Sequence, residues 1–150
     1  MSDGDSCRLK YFEGEPEVLA EVRQMWDEIF DDPEEFADYY FTEICKQNKI
    51  LLAYKGDVLA GMIHLNPYEM QVEGKKELCY YIVGVAVKPE YREQGIMHKM
   101  MQRVLADMKK DGRAFTFLMP EREEYYESLG FEKVFHTCLL YTSDAADDLI

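Results

Sequence analysis

The chain has 150 residues, 17 basic and 30 acidic, a formal net charge of −13 and a pI near 4.6, which excludes general nucleic-acid binding. A content of 47% hydrophobic and 13% aromatic residues excludes a disordered chain, and at this length one domain burying about two-thirds of its unfolded surface follows. No apolar run approaches the roughly 20 residues of a membrane helix, no signal-peptide pattern opens the chain, and four scattered cysteines form no disulfide or zinc pattern, so a cytoplasmic protein without a membrane partner is expected.

Cys7 to Glu13 alternates and predicts a first strand ending at Gly14. Pro16 suits the first turn of a helix, where its missing N–H costs nothing. Val18, Leu19, Val22, Met25, Trp26, Ile29 and Phe30 then repeat at helical spacing. A second helix is expected with Asp32 as N-cap, Pro33 at its first position, and Phe36, Tyr39, Tyr40, Phe41 and Ile44 as its apolar side.

After Asn48 the period changes to two. Ile50–Tyr54, a turn at Lys55-Gly56-Asp57, and Val58–Leu65 read as a hairpin. Asn66-Pro67 predicts a break in pairing, because proline donates no ladder hydrogen bond, with Tyr68–Val72 continuing the meander. Glu77–Val87 reads as a long strand buried on both faces in its second half. Gly84 inside it predicts a bulge or a close backbone approach. Pro89 ends that strand, and Gly95 opens a helix lined by Met97, Met100, Met101, Val104, Leu105 and Met108, closed at Lys110-Asp111-Gly112. A strand over 114–119, a short helix over 121–129 and a last strand from Phe131 complete an α/β domain with a mixed sheet. The unit from 78 to 119 predicts two parallel strands with a right-handed crossover.

Charge is distributed unevenly along this order. Residues 86–113 carry 7 basic and 4 acidic side chains, whereas residues 1–85 carry 8 and 18, and residues 114–150 carry 2 and 8. The basic stretch coincides with a strand running into a glycine turn that opens a helix. Unpaired N–H groups and the helix dipole make such a turn suited to phosphate, with Lys88, Arg92, Lys99 and Arg103 expected around it. The opposite tendency appears in residues 14–43, with eleven acids against one base; they form a solvated face or attract a cationic amine. His64, His98 and His136 have no ligand-spaced neighbours, so no metal is expected. The cysteines and the methionines of the 96–108 helix read as core.

The run Val85-Ala-Val87-Lys-Pro89-Glu-Tyr91-Arg92-Glu-Gln-Gly95 resembles the acyl-CoA motif of the GNAT superfamily of N-acetyltransferases. Met97 departs from the small residue usual there. Gly95-Ile96-Met97, its Met-rich helix and the segment from Phe117 to Phe131, which carries Tyr126 and ends Leu129-Gly-Phe131, are similar to the enhanced-intracellular-survival-like branch, as are Trp26–Phe41 and His64–Tyr68. The resemblance covers roughly residues 10–136. It implies the GNAT fold: a mixed, mostly antiparallel sheet flanked by helices, with a splayed parallel pair at about 78–87 and 114–119.

The resemblance also implies acetyl-CoA as co-substrate and transfer of its acetyl group to a primary amine by direct attack. Val85, Ala86 and Val87 would lie along the pantetheine arm, and the amides of Arg92, Glu93, Gln94, Gly95, Ile96 and Met97 would hold the pyrophosphate. Tyr126 would protonate the departing thiolate. A phenol with a pKa near 10 carries its proton at neutral pH, which suits that role. The Val85 N–H is the candidate oxyanion donor. Glu69, Glu124 and Glu127 are candidates for the general base by residue type only. The expected acceptor is a small molecule or a lysine amine, and a homo-oligomer of a full-length protein is left open. An acyl-CoA-binding sensor or assembly module without catalysis is the alternative reading.

The last segment is expected to differ in origin from the rest. Cys138-Leu-Leu-Tyr-Thr-Ser-Asp-Ala-Ala-Asp147 resembles the translation of a transposase adaptor used in sequencing libraries. Residues 138–150 are therefore expected to be adaptor-derived, leaving 1–137 as a GNAT domain truncated at its C-terminus.

Overall fold

Apolar alternation after Asn48 builds the two long strands that organise the computed structural model. It describes residues 7–120 and 122–134, which fall into two compact units divided between Met119 and Pro120. The first unit runs β1 (Cys7–Tyr11), α1 (Pro16–Ile29), α2 (Glu34–Thr42), a single 3₁₀ turn (Ile44–Lys46), β2 (Lys49–Lys55), β3 (Val58–Val72) and β4 (Lys75–Val87). A second 3₁₀ turn (Pro89–Tyr91), α3 (Ile96–Lys110) and β5 (Thr116–Leu118) follow. The strands lie in the order β1-β2-β3-β4-β5, antiparallel up to β4, with β5 parallel to β4.

Side chains alternate across the sheet, so its two faces can be read from the register. Leu52, Met62 and Ala86 share one face across β2, β3 and β4, and so do Ile50, His64 and Val83 one step along. That face carries the core cluster with Val22, Met25 and Trp26 of α1 and Tyr40 of α2. Gly61 points the other way, where Met100 of α3 comes so close that a Cβ would stand 2.9 Å from its Cε. On α3, Ile96, Met100, Met101, Val104 and Met108 are buried. The helix stops as its residues predict, with Gly112 N–H bonded to Lys109 O at 3.1 Å and Arg113 N–H to Met108 O at 3.0 Å.

Fully burying a large apolar side chain contributes about 1.5–3 kcal/mol, and Met25, Leu51, Ile63, Met100 and Met101 are at most 1% exposed. Ion pairs such as Arg23 with Asp27 and Asp38 are exposed on at least one side and are worth about 0–1 kcal/mol each. The two packed faces therefore hold this unit together, and its surface charges do not.

Several sequence expectations change. Asp32 does not cap α2; the cap position is Pro33, with no side-chain bond. Its carboxylate instead accepts from the Trp26 indole N–H at 3.0 Å, because a largely buried N–H must find a partner. Phe36 and Tyr39 face solvent, 48% and 57% exposed, so the buried side of α2 is only Ala37 and Tyr40. Pro67 does not interrupt β3, and it stands opposite Tyr80 in continuous register. β2 ends opposite Leu65, so β3 is an edge strand on that side from Asn66 on, where proline is tolerated. β5 covers three residues of the expected 114–119. In the second unit the expected helix is one turn, α4 (Glu124–Glu127), and Phe131–Val134 are not a strand. The tail from 138 and His136 lie outside the described residues.

The centre of the α1–α2 face is aromatic and polar at once. Trp26 stacks on Tyr40 at 4.6 Å and meets Phe30, Phe41 and His64 at 4.9, 5.6 and 5.1 Å. His64, with no exposed surface, has Nδ1 3.1 Å from the Tyr40 hydroxyl and Nε2 3.4 Å from Met62 Sδ. Asn48 Nδ2 donates to Tyr40 Oη and to Asn66 Oδ1, and Tyr40 donates to Asn66 Oδ1. Burial raises the Tyr40 phenol and pushes the Cys45 thiol up to about 11, so neither ionises near neutral pH.

Burial also lowers His64 to about 3, whereas an unfolded histidine titrates near 6.5. Below pH 6.5 the unfolded chain therefore takes up a proton that the folded chain refuses. Stability falls with acid between about pH 6.5 and 3, by about 1.4 kcal/mol per pH unit. Urea melts at pH 8 and pH 5 are expected to differ by about 2 kcal/mol more for the wild type than for His64→Phe. Equal differences would remove His64 as the cause.

Candidate functional site

The informative feature of the sheet is how little of β4 is paired with β5. Their register comprises Tyr80 with Thr116, Tyr81 with Phe117 and Ile82 with Leu118. Among the described residues no strand continues that edge past Ile82, although β4 runs on to Val87. Val83, Gly84, Val85 and Val87 are half-buried, so the expectation of burial on both faces fails where the edge opens.

Backbone direction along this edge follows from one hydrogen bond. Lys88 N–H bonds to Ala60 O at 2.8 Å, so Lys88 and, two residues back, Ala86 turn their polar groups toward β3. Val87, between them, turns its polar groups toward the open side, and the Val85 carbonyl, trans to the Ala86 N–H across a planar peptide, points there too. Val85 is therefore a strand residue at the bulge whose C=O faces a gap. Val87 O accepts the Arg92 Nε–H at 2.9 Å.

Gly84 produces the break in register. The β3–β4 pairing shifts between Met62 and His64, with His64 opposite Val83 but Met62 opposite Ala86, so β4 carries one residue more than β3. Gly84 has φ +59, and a Cβ there would stand 2.6 Å from Trp26 Cζ3 and 2.7 Å from His64 Cδ2. Both sequence expectations for this glycine, bulge and close approach, are met at once.

Beyond β4, the turn to α3 uses left-handed backbone twice. Glu93 has φ 63, and Gly95, at the N-cap, has φ 77 and ψ 14. The first intrahelical bond is Lys99 N–H to Gly95 O at 3.0 Å, so the N–H groups of Ile96, Met97 and His98 have no partner within the helix. No acidic residue lies in the first turn of α3. A Cβ on Gly95 would meet nothing within 4 Å, so the space beside the turn is open. Arg92, Glu93, Gln94 and Gly95 are all exposed, Ile96 is buried and Met97 half-buried. Open space, free amides and a positive helix end suit an anionic group.

The expected ring of cations is smaller than the sequence suggested. Lys99 Nζ donates to Cys7 O on β1. Arg103 pairs with Asp107 at 2.8 Å and lies over the Tyr11 ring. Both are thus committed along α3 and β1, which leaves Lys88 and Arg92 beside the turn. Glu69 is out on the β3–β4 hairpin, opposite Leu78 and paired with Lys76 at 3.6 Å. In the second unit, Tyr126 lies in α4 with its ring 6.0 Å from that of Phe131, and its carbonyl accepts the N–H groups of Leu129 and Phe131. Glu124 and Glu127 are exposed there. The described residues contain no group of three or more His, Cys, Asp or Glu side chains able to hold a metal, and no helix among them is long and apolar enough to cross a membrane.

Sequence reasoning missed the part played by Trp26 and His64. Both open segments similar to the family branch, but nothing there points to Gly84, which is 58 and 20 residues away and is reached only through folding. The signal that a packing partner was needed was Gly84 itself.

A family model described as an acetyltransferase (GNAT) domain matches residues 13–134. No curated protein matches the chain. Among solved structures, a conserved protein of unknown function from Enterococcus faecalis, described as a probable N-acyltransferase, superposes with a TM-score of 0.75 at 22% identity. The match covers 83% of this chain, which spans only 32% of that protein's length. A predicted acetyltransferase from Clostridium acetobutylicum, solved with acetyl-CoA, gives 0.69 at 16% identity, covering 91% and 96% of the two chains. A GNAT family acetyltransferase from Brucella melitensis in complex with acetyl-CoA gives 0.66 at 20% identity, covering 84% of each. These likenesses establish the fold, a mixed five-stranded sheet with one parallel pair between helices. With the family model spanning most of the sequence, the chain belongs to the GNAT acetyltransferases.

Proposed function

We propose that this domain binds acetyl-CoA along β4 and at the start of α3, and transfers the acetyl group to a primary amine by direct attack. The observation that carries the reading is the combination of an open β4 edge at Val85–Val87 with the free amides of the Gly95 turn. An extended amide-bearing arm can pair with the first, and a pyrophosphate suits the second. Bound acetyl-CoA supplies an acyl thioester, the electrophile of the reaction. The Val85 N–H would donate to the carbonyl oxygen as negative charge develops there. By the motif resemblance, Tyr126 would supply a proton to the leaving thiolate, its phenol being protonated at neutral pH. The amine must lose a proton before it attacks, and the base that takes it is unassigned.

The residues proposed to hold the co-substrate are Val85, Ala86 and Val87 on the strand, and Arg92, Glu93, Gln94, Gly95, Ile96 and Met97 at the turn. The left-handed Glu93 costs about 1–2 kcal/mol in local backbone strain, and such strain concentrates at functional turns. The branch reading, enhanced-intracellular-survival-like, rests on Gly95-Ile96-Met97 and the segment through Tyr126 to Phe131. The acceptor is a small-molecule or lysine amine.

Calorimetric titration with acetyl-CoA separates this reading from a domain that binds no acyl-CoA. Subsequent CoA release with a panel of primary amines separates an enzyme from a non-catalytic sensor. Gly95→Ala is expected to lower stability by about 1 kcal/mol, since φ 77 disfavours a Cβ that meets no neighbour, and to weaken acetyl-CoA binding by crowding the amides. A Gly95→Ala protein with wild-type affinity would move the anion site elsewhere. Tyr126→Phe is expected to cut kcat about 10²-fold or more while leaving acetyl-CoA affinity within about threefold. Unchanged turnover would take the proton-donor role from Tyr126.

A further inference from the structure

Trp26 and His64 come from elements that carry none of the residues assigned above, yet they meet β4 at the residue before Val85. Glycine has no steric preference of its own for φ +59 over its other allowed conformations. Something outside residue 84 must therefore select this one. On the β3 side the ladder resumes at Ala86 and stops at Val83. On the α1–α2 face the ring edges of Trp26 and His64 occupy the volume a Cβ would take, at 2.6 and 2.7 Å.

Those rings are themselves held. Trp26 is fixed by its indole bond to Asp32 and by stacking on Tyr40, and His64 by Tyr40 Oη and Met62 Sδ. We propose that Trp26 and His64 are positioning residues, a two-ring wedge that locks Gly84 in its left-handed bulge and so aims the Val85 N–H into the gap beside β4. The inference rests on the acetyl-transfer reading for its catalytic consequence, but not for the geometry it assigns. His64 acts through ring shape, so its proton takes no part. Without the wedge the Gly84–Val85 peptide gains freedom, and a mobile donor stabilises developing charge less well than a preorganised one.

The test uses the full chain, ¹⁵N-labelled, with three variants. His64→Ala removes the ring edge. Trp26→Phe withdraws the benzo edge that meets Gly84, and carries the test if His64→Ala does not fold. His64→Phe keeps a ring edge and abolishes imidazole chemistry. In folded His64→Ala and Trp26→Phe, the Val85 amide resonance is expected to shift and its exchange with solvent to speed up. With the amine that the wild type uses fastest, kcat should fall about 10- to 100-fold, while the acetyl-CoA Kd stays within about threefold. His64→Phe should restore kcat and the Val85 amide to near wild type. An unmoved Val85 amide with kcat within twofold in the two ring-deleted variants overturns the proposal. So does a His64→Phe protein as slow as His64→Ala with a native Val85 amide, which would give the imidazole a chemical role. A wild type that neither binds acetyl-CoA nor releases CoA defeats the functional reading instead, and the amide measurements still decide whether the wedge sets Val85.

Discussion

Everything of functional interest in the first unit depends on where β4 loses its partner. A parallel pair of three residues is short even for an edge strand, and β5 ends at Leu118. β4 cannot stop there as well, since β3 continues to bind it as far as Val87. The result, among the described residues, is a strand held by β3 on one side and open on the other beyond Ile82. Unpaired backbone groups at a half-buried edge are costly unless something bonds them. In this molecule the Arg92 guanidinium takes one of them, the Val87 carbonyl. An arm laid along the strand would have to compete with that bond, which makes Arg92 part of the edge's hydrogen-bonding as well as part of the turn.

The opening would have little value if the backbone along it wandered, and the α1–α2 face supplies the restraint. Its core is unusual in being built from rings that also carry polar atoms. Trp26, Tyr40 and His64 pack at 4.6–5.6 Å, and each also makes a directed bond to a fixed partner. An aliphatic core could fill the same volume but would fix fewer orientations, because dispersion is non-directional whereas a buried hydrogen bond is costly to misplace. A neutral His64 belongs to this design. Protonation would place a charge where no carboxylate bonds it, so the folded state suppresses that proton far below the ordinary histidine range.

Much of this was legible in the sequence, and the reasons differ by element. The α3 boundaries were readable because Gly95 and Gly112 bracket a 3.6-residue apolar period, and local rules govern both ends. Gly84 could be singled out as anomalous because a glycine in an apolar strand needs a reason. Its partners could not be found, since α1 and β3 reach it only through tertiary packing. Asp32 departs from the local rule for another cause: an acid ahead of Pro33 satisfies the capping pattern, but the indole N–H of Trp26, six residues back, takes the same carboxylate. Lys99 and Arg103 likewise sit in a basic run, and counting charge along the chain cannot show that β1 and Asp107 have already engaged them.

That last correction alters how the acidity of the protein should be understood. Eleven acids against one base in residues 14–43 surround α1 and α2, while Lys88 and Arg92 are the cations left beside the α3 turn among the described residues. An anion at that turn therefore relies chiefly on oriented amides, whose short-range, directional bonds lose less to salt than the attraction of solvated side chains does. A net charge of −13 then opposes an anionic ligand mainly through long-range repulsion, which a Debye length of about 8 Å at physiological ionic strength confines to nearby groups. On the proposed reading, local amide geometry would decide anion binding, and the surrounding negative field would act on a cationic amine. The two demands would then fall on different parts of one fold, the N-terminus of α3 for the first and the α1–α2 surface for the second, so neither would have to be compromised to meet the other.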